Sequence, residues 1–123
     1  MFGPGVAVKK SIYIEDDPTL AGIRARRRAG ELEGNEGFIY VISNSAWTRY
    51  LKIGHAVDYA DRLNSFQTSD PFRRYKLEFA WYFRDRIAAE KEVHRLLLPW
   101  WQCGEWFLMD KDEAISAIKK VNR

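Results

Sequence analysis

Apolar and polar positions change rhythm several times along the chain, and each change predicts an element. Gly37-Phe38-Ile39-Tyr40-Val41-Ile42-Ser43 is apolar at almost every position, as a strand covered on both faces requires. Tyr50-Leu51-Lys52-Ile53-Gly54-His55 is a second β-rich run. The polar break from Asn44 to Arg49 makes the two a hairpin with a longish loop. Within these runs Tyr40 and Lys52 carry the polar tips, and we read them as facing a site. From Val57 to Gln67 the period becomes helical, with Tyr59, Ala60, Leu63 and Phe66 recurring, Asp58 near the start and Thr68-Ser69-Asp70-Pro71 at the end. Tyr75 to Phe83 alternates again, predicting a third strand with Tyr75, Leu77, Phe79, Trp81 and Phe83 on one face.

A second core helix is expected over Asp85 to Leu98. Asp85 caps it, Pro99 stops it, and Ile87, Ala89, Val93, Leu96 and Leu97 form the inner stripe. Trp100 to Gly104 reads as a bulky turn, and Glu105 to Met109 as a short strand or an extended cover. Asp110 caps a last helix whose Ala114, Ile115, Ile118 and Val121 face inward, with Lys119 and Lys120 at its end. The order is an α+β plan, a small three-stranded antiparallel sheet flanked by helices. Residues 1–36 differ from the rest and read as an N-terminal extension ahead of a domain over 37–123. Val6 to Ile14 could hold a short strand. Asp17 and Pro18 start a helix that runs to about Ala29 and stops at Gly30, and Glu31 to Glu36 is an acidic linker.

Composition narrows the class. With 123 residues the chain suits one domain with a modest core, and no apolar run approaches the roughly 20 residues of a membrane helix. Met1 to Lys10 lacks the apolar core and cleavage pattern of a signal peptide, so a cytoplasmic protein is expected. The single Cys103 excludes an internal disulfide and a cysteine-cluster zinc site. The balance of 20 Lys+Arg against 17 Asp+Glu, net +3, permits a polyanionic partner without demanding one. Its clusters are Arg24 to Arg28 and Arg73 to Lys76. The arginines of the first cluster suit a helix C-terminus; they would equally form a basic arm on a nucleic-acid backbone.

Gly37-Phe38-Ile39-Tyr40, Lys52-Ile53-Gly54-His55, Arg62 in the next helix and Glu90-Lys91-Glu92-Val93-His94 in the second helix together resemble the GIY-YIG nuclease superfamily. The likeness is greatest to a phage- and bacterial-type subgroup whose second triplet is Lys-Ile-Gly, and Gly104-Glu105-Trp106-Phe107 is similar to that subgroup too. It covers Gly37 to about Val121. Each triplet alone is weak; the ordered set with its spacing is specific. The resemblance implies phosphodiester hydrolysis with one divalent metal, usually magnesium, with manganese as a substitute.

Glu90 borders the apolar stripe of its helix, where an unpaired carboxylate is costly. A hard cation relieves that cost, and so would a salt bridge to Arg86 or Arg62. The resemblance makes Glu90 the metal ligand. Arg62 is either a surface ion pair with Asp58 or, as the resemblance implies, a fork onto phosphate. Tyr40 is an ordinary sheet tyrosine on its own terms, and the resemblance gives it contact with the attacking water. Lys52 departs from the family, where tyrosine usually stands. A lysine there binds phosphate, or accepts a proton only if its pKa is lowered. The general base therefore stays open among Tyr40, Lys52, His55 and a water on the cation. His94, one turn after Glu90, reads as an orienter rather than a ligand, and Glu105 as a residue that holds its turn. Gly37 and Gly54 read as points of close backbone approach.

Three functions follow: a metal-dependent DNA endonuclease, a catalytically weak nucleic-acid-binding module of the same fold, or an interaction protein using Trp100, Trp101 and Trp106. No added recognition module is visible, so specificity is low, structure-directed, or supplied by a partner protein or a second copy. A phage or mobile element is a natural source for such a chain.

Overall fold

The computed structural model describes residues 17–122. The strand suggested over Val6 to Ile14 lies outside them. Within them the elements are α1 (Pro18–Ala29), β1 (Gly37–Asn44), β2 (Tyr50–Ala56), α2 (Tyr59–Gln67), β3 (Tyr75–Phe83) and α3 (Arg86–Leu96). A 3-10 turn (Leu98–Trp100) then leads to β4 (Trp101–Cys103), β5 (Trp106–Leu108) and α4 (Lys111–Lys120). Local chemistry sets the helix starts. Asp17, Asp58 and Asp85 each accept hydrogen bonds from the first-turn amides that lack an intrahelical partner. Asp110 occupies the same position before α4 but makes no such bond, so its expected capping is positional only. Gly30 ends α1 at φ 72°, a left-handed conformation that costs glycine nothing.

The strands form one antiparallel open sheet in the order β3-β1-β2-β5-β4. The three expected strands are its centre. The expected count was short by two because β4 and β5 have three residues each, too few to show a period. β1 is central and buried on both faces, which is why nearly every residue in it is apolar. On one face Ile39, Val41, Ile53 and Phe79 pack under Ala89, Val93 and Leu97 from the α3 region and Ala114 and Ile118 from α4. On the other, Phe38, Tyr40 and Ile42 pack under Leu20 and Ile23 of α1 and Tyr59, Leu63 and Phe66 of α2.

Two expectations about faces are corrected. β3 does not keep one apolar face. Val41 pairs with Phe79 and Ile42 with Leu77, so Glu78 is an extra residue, a β-bulge. The bulge moves Tyr75 and Leu77 to the α1/α2 face while Phe79, Trp81 and Phe83 stay on the α3/α4 face. It also turns the Glu78 carboxylate to Ser43 Oγ at 2.6 Å and Lys111 Nζ at 3.3 Å. Ile87, expected in the inner stripe of α3, is 36 % exposed, because the buried row of that helix runs Ala89, Val93, Leu97.

The N-terminal helix docks on the sheet. Leu20 and Ile23 are buried, Arg24 forks onto Asp58 at 2.6 and 3.2 Å, and Arg26 reaches Glu36 at 2.6 Å. Burying each of the two apolar side chains is worth about 1.5–3 kcal/mol. A third clamp holds the far end of the hairpin. Asp70 accepts from Asn44 Nδ2, the Phe72 and Arg74 amides and the Arg74 guanidinium.

These clamps predict acid lability. The Arg26 hydrogen bond holds Glu36 below the ordinary carboxylate range. Burial alone would raise Asp58, but Arg24 and the α2 amides outweigh it and lower it. Arg74, with the backbone amides and Asn44, depresses Asp70 strongly. A carboxylate whose folded pKa lies below its unfolded value stabilises above the unfolded value, about 4, and ceases to as pH falls to the folded one. Thermal melts from pH 7 downward should therefore be flat to about pH 5 and fall steadily below about pH 4. Asp70→Asn should flatten that slope; a melting temperature independent of pH down to 3 would contradict the clamps.

Candidate active site

Pairing with β5 covers only the first half of β2. Tyr50, Leu51 and Lys52 face Leu108, Phe107 and Trp106, and the Ile53 amide still bonds the Glu105 carbonyl at 2.9 Å. From Gly54 to Ala56 no residue of β5 stands opposite. Of the groups singled out from the sequence, Gly54 and His55 lie on this uncovered segment, Tyr40 stands opposite Gly54 on β1, and Lys52 lies just inside the covered half.

Register decides which face each one takes. Tyr40 pairs with Gly54, and Ile42 with Lys52, so these lie on the α1/α2 face; His55 pairs with Ile39 on the α3 face. Tyr40 is fully buried apart from the company its hydroxyl keeps: that hydroxyl donates to Glu105 Oε1 at 2.6 Å. Gly54 makes this bond geometrically feasible. A Cβ there would lie 2.5 Å from the Tyr40 oxygen and 2.5 Å from Glu105 Oε1. Glu105 is carried in by the β4–β5 turn, where Gly104 adopts φ 53°. Burial, then the Glu105 hydrogen bond and charge, push the Tyr40 phenol far above its ordinary pKa; the Arg62 guanidinium beside it opposes the shift. Tyr40 thus keeps its proton and shares it with Glu105.

Lys52 is drawn into the same group. Its ammonium is 3.7 Å from Glu105 Oε1 and sits over the Phe66 ring at 4.7 Å and the Trp106 ring at 5.3 Å. Two π-faces and a carboxylate hold its positive charge in place. Arg62 comes from α2. Its alternative partner Asp58 is committed to Arg24 and to the α2 amides, so the expected pair within α2 gives way to a pair between helices.

On the α3 face His55 Nε2 is 3.8 Å from Glu90 Oε1, and neither Arg86 nor Arg62 pairs with that carboxylate. The other His55 nitrogen is buried without a hydrogen-bond partner, so Nε2 is the side of the ring that meets polar groups. His94, one turn on, bonds the Ile53 carbonyl through Nε2 at 2.9 Å and packs edge-on against Phe107. It pins α3 to β2 and leaves the Glu90 carboxylate to itself.

A cleft of about 320 Å³ runs past His55 and Arg62 and is lined also by Ser65, Arg27 and Arg86. Sequence reasoning gave Arg27 and Arg86 no place here. Arg27 sits in a run that equally suits a helix C-terminus, and only the docking of α1 brings it to the cleft. Glu105 was undervalued for the same reason: nothing local signals that a turn residue crosses β2 to meet Tyr40. A larger groove of about 570 Å³, between the hairpin loop and the start of α4, contains the Glu78–Lys111 pair and none of these residues.

The structure therefore gathers Tyr40, Glu105, Lys52 and Arg62 on one side of the open β2 segment and His55 with Glu90 on the other, and His55 and Arg62 share one cleft. The donor set fits a single hard cation. Glu90 is one half-buried carboxylate, 22 % exposed in its side chain. Magnesium takes one or two carboxylates and keeps its waters. Among the described residues no group of three or more His, Cys, Asp or Glu forms a cage, which is the arrangement a dedicated zinc or calcium site would need.

Among the described residues no helix is long and apolar enough to cross a membrane. No curated protein and no solved structure matches the chain. A family model does, over residues 37–122, from the first residue of β1 to just past the end of α4. The chain belongs to the T5orf172 domain family, a phage-associated family of nuclease-like domains.

Proposed function

We propose that this protein is a DNA endonuclease of the GIY-YIG type that hydrolyses phosphodiester bonds with one magnesium or manganese ion. The observation that carries the reading is the Tyr40–Glu105 hydrogen bond across Gly54, flanked by the cations of Lys52 and Arg62. A buried phenol handing its proton to a carboxylate, with the Lys52 ammonium and the Arg62 guanidinium beside the pair, suits deprotonation of water beside a phosphate. It serves no packing need that phenylalanine would not meet.

Glu90 would hold the cation. When bound, that ion supplies Lewis acidity toward the phosphate and eases departure of the leaving oxygen. The chain's own residues do the rest. Arg62 forks onto non-bridging phosphate oxygens and offsets charge that develops on them. Lys52 holds the Glu105 carboxylate in place and adds positive charge near the same oxygens. Tyr40 Oη takes a proton from the attacking water as its own passes to Glu105 Oε1. The water O–H bond breaks, the Tyr40 O–H is renewed, and Glu105 ends protonated. Hydroxide adds in line to phosphorus as the P–O3′ bond breaks. The general base is thus Glu105 acting through Tyr40, rather than a free tyrosinate or Lys52. His55 orients Glu90 through Nε2. In a phage-infected or bacterial cell this chemistry belongs to the cytoplasm.

Nicking of supercoiled plasmid tests the reading. Wild type should nick with magnesium or manganese; Tyr40→Phe and Glu105→Gln should each slow nicking by about 10²–10⁴-fold. Because the two act as one relay, the double variant should be no worse than either single one. Undiminished nicking by Glu105→Gln would remove the relay, and a wild type that never nicks would remove the nuclease.

A second reading has its own support: Lys52 stands where the wider GIY-YIG superfamily usually carries tyrosine, and its charge is committed to Glu105 and two rings. That reading is a DNA-binding module without turnover. Salt-dependent gel shifts without product would favour it.

A further inference from the structure

Beyond the β2 edge the aromatic residues continue. Trp47, Tyr50, Tyr75 and Trp106, with Gln102 and Cys103, line an open groove of about 430 Å³, within the range of small-molecule sites. None of the six is charged. Trp47 is 49 % exposed, at the tip of the hairpin loop. A large apolar side chain held in water is costly unless something covers it.

The loop that holds it there is tightly built. Asn44 is buried, its side-chain oxygen accepts from the Ala46 amide, its nitrogen donates to Asp70, and its carbonyl accepts from the Trp47 amide. The indole of Trp47 meets that of Trp106 edge-on at 5.7 Å. Its position is therefore set before any ligand arrives, which reduces the ordering cost of binding.

The groove is continuous with the catalytic group in two ways. Trp106 forms its wall and also lies under the Lys52 ammonium. Tyr75 forms the opposite wall and touches Phe66, whose ring meets Tyr40. Uncharged stacking faces that share Trp106 with the Lys52 ammonium, one step from a phosphate site, match the chemistry of a single strand whose bases have left the duplex stack.

We propose that this groove receives an unpaired nucleobase of the strand being cut, next to the scissile phosphate, and that the enzyme consequently prefers DNA with extruded or single-stranded nucleotides over fully paired duplex. The proposal rests on the nuclease reading above and adds a substrate class to it. The base stacks on the exposed Trp47 ring and meets Trp106 edge-on, Gln102 offers its amide to a base edge, and Lys52 bridges from the groove to the phosphate.

Fluorescence anisotropy of the full-length protein, without divalent metal, tests this without turnover. The probes are a short labelled duplex and an otherwise identical duplex with a small unpaired bulge. Wild type should bind the bulged probe about tenfold more tightly, the size of one base-on-aromatic stacking contact. Trp47→Ala should bring that ratio to about one, and Trp47→Phe should keep most of it. Binding of the bulged probe should also quench tryptophan fluorescence in wild type and less so in Trp47→Ala. Equal affinity of wild type for both probes overturns the groove while leaving the nuclease reading in place. So does a ratio that survives Trp47→Ala, which would point to a protein segment as the occupant. No binding to either probe overturns both.

Discussion

Replacing Glu90 with glutamine should slow plasmid nicking by on the order of a thousandfold while the protein stays folded. The Glu90 carboxylate borders the buried row of α3, its side chain is 22 % exposed, and His55 Nε2 lies 3.8 Å away. Glutamine keeps the shape and can still face His55, so packing changes little. What it loses is the formal charge, and a hard cation prefers a charged oxygen. Metal assistance of this kind is worth several kcal/mol in the transition state, and each 1.36 kcal/mol is a factor of ten. Manganese binding, read by titration calorimetry or by electron paramagnetic resonance, should weaken in the same variant. Nicking within tenfold of wild type, with manganese binding retained, would show that Glu90 is not the ligand.

Gly54→Ala should lose about a hundredfold in nicking rate and also destabilise the protein. Two effects compete. Alanine in a strand interior is ordinarily better than glycine by roughly 0.5–1 kcal/mol. Here its Cβ would stand 2.5 Å from the Tyr40 oxygen and 2.5 Å from Glu105 Oε1, closer than atoms approach. The Tyr40 ring is locked in the core and cannot retreat, so the half-exposed Glu105 carboxylate gives way. That strands a buried hydroxyl at about 1–3 kcal/mol and displaces the proton acceptor by more than an ångström. Misplacement on that scale costs about 10² in rate. The steric loss wins on both counts. A melting temperature at or above wild type, together with a rate within threefold, would show that the two side chains do not need the space Gly54 leaves.

These two residues were not equally visible beforehand. Glu90 could be singled out because its argument is local: a carboxylate at the margin of an apolar helical stripe is anomalous in its own few turns. Tyr40 and Lys52 were visible in the same way, as polar tips in β-rich runs, and Arg62 through the family resemblance. Their partners were not. The residue that meets Tyr40 lies 65 positions away, in a turn whose own neighbourhood says nothing about β2. The sequence points to His94 as the orienter of Glu90 and to His55 as a candidate base; the register of β2 under α3 instead sends His55 to the carboxylate and His94 to a backbone carbonyl.

The chain's own order of residues decided the elements, their starts and the list of groups able to do chemistry. Periodicity, aspartate caps and left-handed glycines act within four or five residues, so their physics is written where it acts. The tertiary structure decided which groups meet. The bulge at Glu78 reassigns half of β3 to the other face, the docking of α1 brings Arg27 to the cleft, and the two shortest strands carry Glu105 across Gly54. Each depends on contacts between segments far apart in the chain, made when apolar faces exclude water together, and no local pattern encodes such a meeting.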